Sequence, residues 1–291
     1  MRTALRAVTD QLVRMAREYK ADQWPFLGRW IHAGGRHWNQ WIYADGVPAL
    51  IDGKVALKLS PRTFSGGAYR FDPKLTNEIL HLAIPGKAFL DAGAHMGICS
   101  LLYSALAGPE TRVAAFEPNP NVFPLLSENV RVSGRLILPL PVALGDHSGE
   151  VSIYVNGSDP NASLSAEAPG KYFMWKDKPK PVMKEYRVSM TTIDAFCAAN
   201  AFEPGLIKLD VEGAELPVLR GAVETLRRRR PAIILETHVF AWESFGYAGK
   251  DLEAFIRDIR YSIYTRVGDP FNGVLGTGPE RDNNHYILRP Q

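Results

Sequence analysis

The 291-residue chain has only two cysteines, Cys99 and Cys197, too few for a disulfide framework or a cysteine-rich zinc site. Each lies among apolar neighbours in an expected helix and reads as a small buried hydrophobe. Long hydrophobic runs are also lacking. No stretch reaches the roughly 18 apolar residues of a membrane span, and the most apolar one, Ala88 to Ala107, is interrupted by Asp91, His95 and two glycines. The N-terminus shows no secretory signal, because Asp10 and several arginines break any apolar core. These absences place the expected compartment in a reducing cytoplasm. Charge of one sign is scarce too: 34 Lys and Arg oppose 31 Asp and Glu, a net of +3, with a pI near 8.8. Such a balance demands neither a nucleic acid nor an anionic membrane as partner. With 46% hydrophobic and 22% charged residues, wholesale disorder, collagen-like repeats and a coiled-coil rod are excluded. There is no internal repeat and no low-complexity tract.

What is present becomes regular toward the middle. Leu5, Val8, Leu12, Met15 and Tyr19 recur at spacings of three and four, the stripe of an amphipathic helix that packs on its own domain or on a second subunit. Four of the six tryptophans, Trp24, Trp30, Trp38 and Trp41, follow it. Val55 to Leu59 alternates as a strand, and Pro73 to Ala83 reads as a helix with Asp72 as N-cap. From Lys87 strands and helices alternate: strands at 88–90, 112–116, 136–142, 150–155, 206–209, 231–236, 262–265 and 286–288, helices at 98–107, 121–132, 192–199, 216–228 and 252–259. That order implies βαβ units and a mainly parallel sheet covered on both faces. The expected division is an N-terminal extension, 1–72, and one catalytic domain, 73–291. Within the latter, 157–185 is irregular yet carries Tyr172-Phe173-Met174-Trp175, and is expected to form a lid. Arg227 to Arg230 ends a helix just before Pro231 and reads as a solvated helix terminus.

In open α/β sheets ligands bind beyond the carboxyl ends of the strands, so the residues just after each strand are the candidates. Asp91-Ala92-Gly93-Ala94-His95-Met96-Gly97 follows the first regular strand. A carboxylate at Asp91 would repel a pyrophosphate, which excludes the dinucleotide fingerprint; Gly93 and Gly97 still permit close backbone approach. The cofactor that suits an acid before a glycine loop carries adenosine, positive charge and no phosphate, as S-adenosylmethionine does. Glu117, after the next strand, can accept both ribose hydroxyls.

Phe89 to Gly97, Phe116-Glu117-Pro118, Val142 to Asp146, Ile207-Lys208-Leu209-Asp210-Val211-Glu212-Gly213-Ala214-Glu215 and Leu219 to Ala222 together resemble the FkbM family of methyltransferases. The resemblance covers roughly 87–238, and the Lys-x-Asp-x-Glu-Gly-Ala-Glu element is its most specific part. It implies an α/β, Rossmann-like class I methyltransferase: a doubly wound, mostly parallel seven-stranded sheet with an antiparallel terminal hairpin. It also implies S-adenosylmethionine as cofactor, adenine contacts at Ala143 and Leu144, and O-methylation, with sugar and polyketide hydroxyls among the family's substrates. Two departures stand out: His95 replaces the family's usual asparagine, and Pro141 precedes the Val-Ala-Leu-Gly stretch.

Alternation puts Lys208 and Asp210 on one face of their strand, and a buried lysine there needs Asp210 or Glu236 as partner. Asp210 is expected beside the transferred methyl, with Lys208 and Glu212 near it. His238, two residues past Glu236, is the expected base for an alcohol, with His95 or Asp210 as alternatives. Asp210, Glu236 and His238 offer oxygen and imidazole ligands, but no close acidic pair marks a metal site, so none is assigned. The expectation is a cytoplasmic S-adenosylmethionine-dependent O-methyltransferase. Its acceptor would be a hydroxyl of a glycan, glycolipid or secondary metabolite, and a homodimer could form through the N-terminal helix. RNA ribose methylation and a non-catalytic cofactor-binding partner protein are the alternatives; the weak net charge speaks against RNA.

Overall fold

A computed structural model describes residues 44–51, 53–64, 73–156, 162–163, 183–277 and 285–291. The expected N-terminal helix, the tryptophan-rich segment, the Asp72 cap and the centre of the 157–185 segment lie outside the described residues.

A hairpin of β1 (Val47–Ile51) and β2 (Val55–Leu59) precedes α1 (Pro73–Leu82). The regular alternation then runs β3 (Ala88–Ala92), α2 (Ile98–Ala107), β4 (Val113–Phe116), α3 (Phe123–Ser133) and β5 (Ile137–Leu140). Next come β6 (Ala143–Leu144), β7 (Gly149–Asn156), β8 (Ala162–Ser163) and β9 (Met183–Thr191). The chain continues through α4 (Ile193–Asn200), β10 (Pro204–Leu209), α5 (Glu215–Arg220), α6 (Val223–Arg229) and β11 (Ala232–Glu236). It ends with α7 (Val239–Trp242), α8 (Gly249–Asp258), β12 (Tyr261–Thr265) and β13 (His285–Pro290).

The central sheet has seven strands in the order β12-β13-β11-β10-β3-β4-β5. The strands β11, β10, β3, β4 and β5 run parallel, whereas β13 is antiparallel to both β11 and β12. Alternation divides the strand side chains between two cores. Leu90, Ala114, Ile207 and Ile233 pack with Leu216, Leu226, Leu252 and Ile256 on one face. Phe89, Val113, Leu206 and Ile234 pack on the other with Ile79, Leu101, Leu102 and Leu126, joined by Ile51, Val55, Leu57 and Leu59 of the hairpin. Burial on both faces is why these strands read as continuous apolar runs. After β5 the chain returns to add β10 on the other side of β3. The strand order therefore reverses between β3 and β10, and their carboxyl ends open a crevice.

Four sequence expectations need correction. The 136–142 strand stops at Leu140; Ala143 and Leu144 pair instead with Met190 and Thr191 in a second, four-stranded sheet. Pro141, which has no N–H to donate, stands at that break. Met183–Glu185, assigned to the irregular segment, belongs to β9, which pairs antiparallel with β7 along eight residues. The single helix at 216–228 is two. At the joint a Cβ on Gly221 would lie 2.1 Å from Gly145 O, and Asp194 accepts from the N–H groups of Glu224 (2.9 Å) and Thr225 (2.7 Å), capping α6 from outside. A short helix, Val239–Trp242, follows β11 where none was expected.

Candidate active site

The loop leaving β3 is held by its backbone. Gly93 has φ 77°, and a Cβ there would fall 1.8 Å from Asp210 O. Only glycine lets the β3 and β10 ends approach this closely. His95 also adopts a left-handed conformation, φ 52°, where Asn, Asp and His are enriched among non-glycine residues. That is why histidine can replace the family's asparagine. Its N–H donates to Glu117 Oε2 at 2.8 Å, and Asn119 N–H donates to Oε1 at 2.8 Å. Each oxygen of this buried carboxylate keeps a further lone pair. Burial outweighs the two hydrogen bonds and raises the Glu117 pKa to about 7.

Asp91 lies beneath the loop and is fully buried. Ser100 Oγ donates to its Oδ2 at 2.6 Å, while Oδ1 has no hydrogen bond and stands 3.7 Å from Lys208 Nζ. The register places Lys208 directly beside Asp91 on the neighbouring strand. Lys208 Nζ donates to Asp210 Oδ2 at 2.8 Å and to Gly93 O at 3.2 Å. Of the two expected partners, Asp210 therefore takes the lysine, and Glu236 meets His285 Nε2 at 3.0 Å instead. Burial disfavours both charges of the Lys208–Asp210 pair, yet their attraction wins. The lysine pKa is held well above its ordinary value, and that of Asp210 falls to about 2.

Past Asp210 the chain turns through Glu212 (φ 52°) and Gly213 (φ 105°) into α5. His238, at the end of β11, is buried, and its Nδ1 lies 2.7 Å from Glu215 Oε1. Its Nε2 points back to the β10 end, 3.6 Å from Asp210 Oδ1 and 3.6 Å from Glu212 Oε2. Burial opposes the imidazolium, but Glu212, Glu215 and Asp210 together hold its pKa well above the usual histidine value.

A model of the FkbM methyltransferase domain matches residues 91–263, more than half of the chain. The chain belongs to the FkbM methyltransferase family. It is 25% identical over 187 residues to the hexuronic acid methyltransferase AglP of Haloferax volcanii, covering 64% of this chain and 68% of that one. With the 2-O-methyltransferase NoeI of Sinorhizobium fredii it shares 28% identity over 155 residues, covering 50% of this chain and 61% of NoeI. The crystal structure of methyltransferase FkbM from Methylobacillus flagellatus aligns with a TM-score of 0.45 at 18% identity. That alignment covers 70% of this chain and 43% of the other.

The methyl donor of FkbM enzymes is S-adenosylmethionine, and the crevice suits it. The glycine cradle at 93 would be filled by a Cβ, Glu117 is a buried acceptor fixed on both oxygens, and carboxylates rather than phosphate-binding cations line the strand ends. Gly97, φ 85°, caps α2 against Leu126, where a Cβ would come within 2.5 Å of Leu126 Cδ1. Ala143 and Leu144 are buried beside β9, with Leu144 packed into the core.

The residue that sequence reasoning passed over in this FkbM site is Glu215. Fully buried, it accepts from Gly213 N–H (3.0 Å), Trp242 Nε1–H (2.8 Å) and the Tyr247 hydroxyl (2.8 Å) as well as facing His238. Glu215 stands in the motif already singled out, which was the available signal; its partners 23 to 32 residues away were not visible. The arginines at 227–230 make local contacts: Arg227 with Asp258, Arg228 with Glu224, Arg229 with Glu203, and Arg230 with the carbonyls of Ile259 and Arg260. Both cysteines are buried. No helix among the described residues is long and apolar enough to cross a membrane.

Proposed function

We propose that this FkbM protein is an O-methyltransferase that moves the methyl group of S-adenosylmethionine to a hydroxyl of a glycan, glycolipid or secondary metabolite. One observation carries the reading. The carboxylate-bearing glycine loop and the Lys208–Asp210–His238 cluster lie side by side, at the ends of adjacent strands where strand order reverses. A cofactor seated on the loop has its reactive end beside that cluster.

S-adenosylmethionine supplies a methyl group already activated by its sulfonium. The remaining work is positioning. Glu117 offers its free lone pairs to the two ribose hydroxyls, and Gly93 and Gly97 let the backbone come close. Asp91 contributes from below: it fixes Ser100 at the start of α2 and Lys208, whose Nζ holds Gly93 O. Ala143 and Leu144 flank the adenine end. Asp210, kept ionised by Lys208, orients the acceptor hydroxyl. When the acceptor oxygen takes the methyl, its hydroxyl proton would leave to a carboxylate of Asp210 or Glu212, with His238, held as the imidazolium, orienting both. The relative that is a hexuronic acid methyltransferase supports a sugar acceptor, and the 2-O-methyltransferase supports transfer to oxygen.

The test is incubation with methyl-labelled cofactor and fractionated glycans, lipids, small metabolites and RNA. Label is expected in a glycan, glycolipid or metabolite fraction and lost in Asp210→Ala. Label confined to RNA, or no cofactor binding by calorimetry, would overturn the proposal.

A further inference from the structure

We propose that Asp210, Glu236 and His238 form a divalent-cation site on the acceptor side of the crevice, with a ligand set suited to Mn²⁺. One ligand atom from each lies within 4.8 Å of the others. An octahedral ion with bonds of ~2.1 Å spaces its ligands by ~3 to ~4.2 Å, so small side-chain rotations close the set. Two carboxylates and one imidazole suit Mn²⁺ better than the thiolate-preferring metals.

The second observation is how His238 is held. Glu215 already accepts from Gly213, Trp242 and Tyr247, so it is a carboxylate that only accepts, and it takes the Nδ1–H of His238. A buried imidazole anchored this way presents Nε2 outward, the carboxylate–histidine arrangement that orients metal ligands, and a divalent ion bound there displaces the Nε2 proton. That Nε2 makes no hydrogen bond; it sits 3.6 Å from both Asp210 Oδ1 and Glu212 Oε2, too far for either. Asp210 is divided in the same sense: Lys208 occupies Oδ2, and Oδ1 faces the cluster. Glu236 is steadied by His285, which is itself 3.4 Å from Glu78, the partner of Arg266. Each ligand thus has a support behind it and an atom directed inward. Around them the five carboxylates of Asp91, Asp210, Glu212, Glu215 and Glu236 outnumber the cations Lys208, His238 and His285.

The inference rests on the methyltransferase reading only for its purpose. Three protein ligands leave open positions for two neighbouring hydroxyls of a sugar, so the ion would select a vicinal diol and polarise the oxygen that is methylated.

The test titrates the chelator-stripped full chain with MnCl₂ and follows the free Mn²⁺ signal by electron paramagnetic resonance. One equivalent should disappear per chain, and spin-echo modulation should show a single coordinated imidazole nitrogen. Glu236→Gln and His238→Gln should each weaken binding at least tenfold, and His238→Gln should abolish the nitrogen modulation. Asp258→Asn, on the surface of α8, should leave both unchanged. Circular dichroism checks folding, with Glu236→Asp as a second variant that keeps the ligand type. No uptake of Mn²⁺, or uptake indifferent to Glu236 and His238, would overturn the site. Calorimetry with S-adenosylmethionine in chelator separates the two ideas. If cofactor binds and Mn²⁺ does not, only the cation site falls; if Mn²⁺ binds and cofactor does not, the methyltransferase reading falls alone.

Discussion

Glu117→Gln should make the cofactor-free protein more stable at alkaline pH and leave its stability nearly unchanged at pH 5. Glu117 is buried beside the glycine loop, and its pKa stands at about 7 instead of 4.5. A raised carboxyl pKa means that folding disfavours the ionised form. Stability is therefore full below pH 4.5 and declines as pH rises through 7. The size of that rise corresponds to about 3 kcal/mol withheld from the folded state above pH 8. Glutamine never ionises, so it removes the penalty. It keeps one acceptor oxygen for either His95 N–H or Asn119 N–H and sets an amide group against the other, which costs about 1 kcal/mol. The balance is about 2 kcal/mol of stabilisation at pH 8.5 and close to zero at pH 5, where the wild type already carries about 1 kcal/mol of the penalty. For a chain of this size the alkaline gain amounts to a rise of ~3 °C in melting temperature.

The assay is thermal and urea denaturation of dialysed wild-type and variant protein from pH 5 to 8.5. The pH-dependent change of about 2 to 3 kcal/mol is the diagnostic part, because a lost hydrogen bond shifts both ends equally. A variant uniformly less stable across the range would refute the argument that Glu117 is ionised against a burial penalty. Cofactor affinity should move the other way. The glutamine can accept from only one ribose hydroxyl, so binding at pH 8 should weaken by about 2 kcal/mol, some thirtyfold by calorimetry.

Gly93→Ala would drive a Cβ into the carbonyl oxygen of Asp210 at a left-handed position; urea denaturation should show a loss of more than about 3 kcal/mol, along with loss of cofactor binding. Lys208→Met removes the buried cation that Asp91 and Asp210 share and should cost about 3 to 5 kcal/mol. Adding Asp91→Asn should recover part of that cost, and no recovery would mean that Asp91 does not depend on the lysine. Tyr247→Phe removes one donor to Glu215 and should destabilise by about 1 to 2 kcal/mol in the same assay.

The sheet was legible because strands buried on both faces are largely apolar, so 88–90, 206–209 and 231–236 announced themselves despite Lys208 and Glu236. The candidate cofactor residues were legible for a related reason. A parallel sheet fixes where its carboxyl ends lie, and a carboxylate there is conspicuous against an apolar run. β9 was harder to read. Its burial alternates weakly and Lys184, Glu185 and Arg187 face solvent, so half of it resembles a polar loop until β7 pairs with it. The break between α5 and α6 depends on Gly145 and Asp194, both outside the segment, which no periodicity within the segment can reveal.

The same distinction separates the two halves of the site. Asp91, Gly93, Glu117, Lys208 and Asp210 lie where the backbone places them, at strand ends in register, so sequence position nearly determines spatial position. His238 faces Asp210 with Glu215 behind it, and Glu215 is held by Trp242 and Tyr247 from a helix and a turn that lie beyond β11. A net charge of +3 concealed this arrangement, since the arginines that balance the count sit at the far end of α6, paired with surface acids. The crevice is acidic while the chain is basic. Buried carboxylates at this end would attract a cationic methyl donor at short range, where solvent and salt screen least.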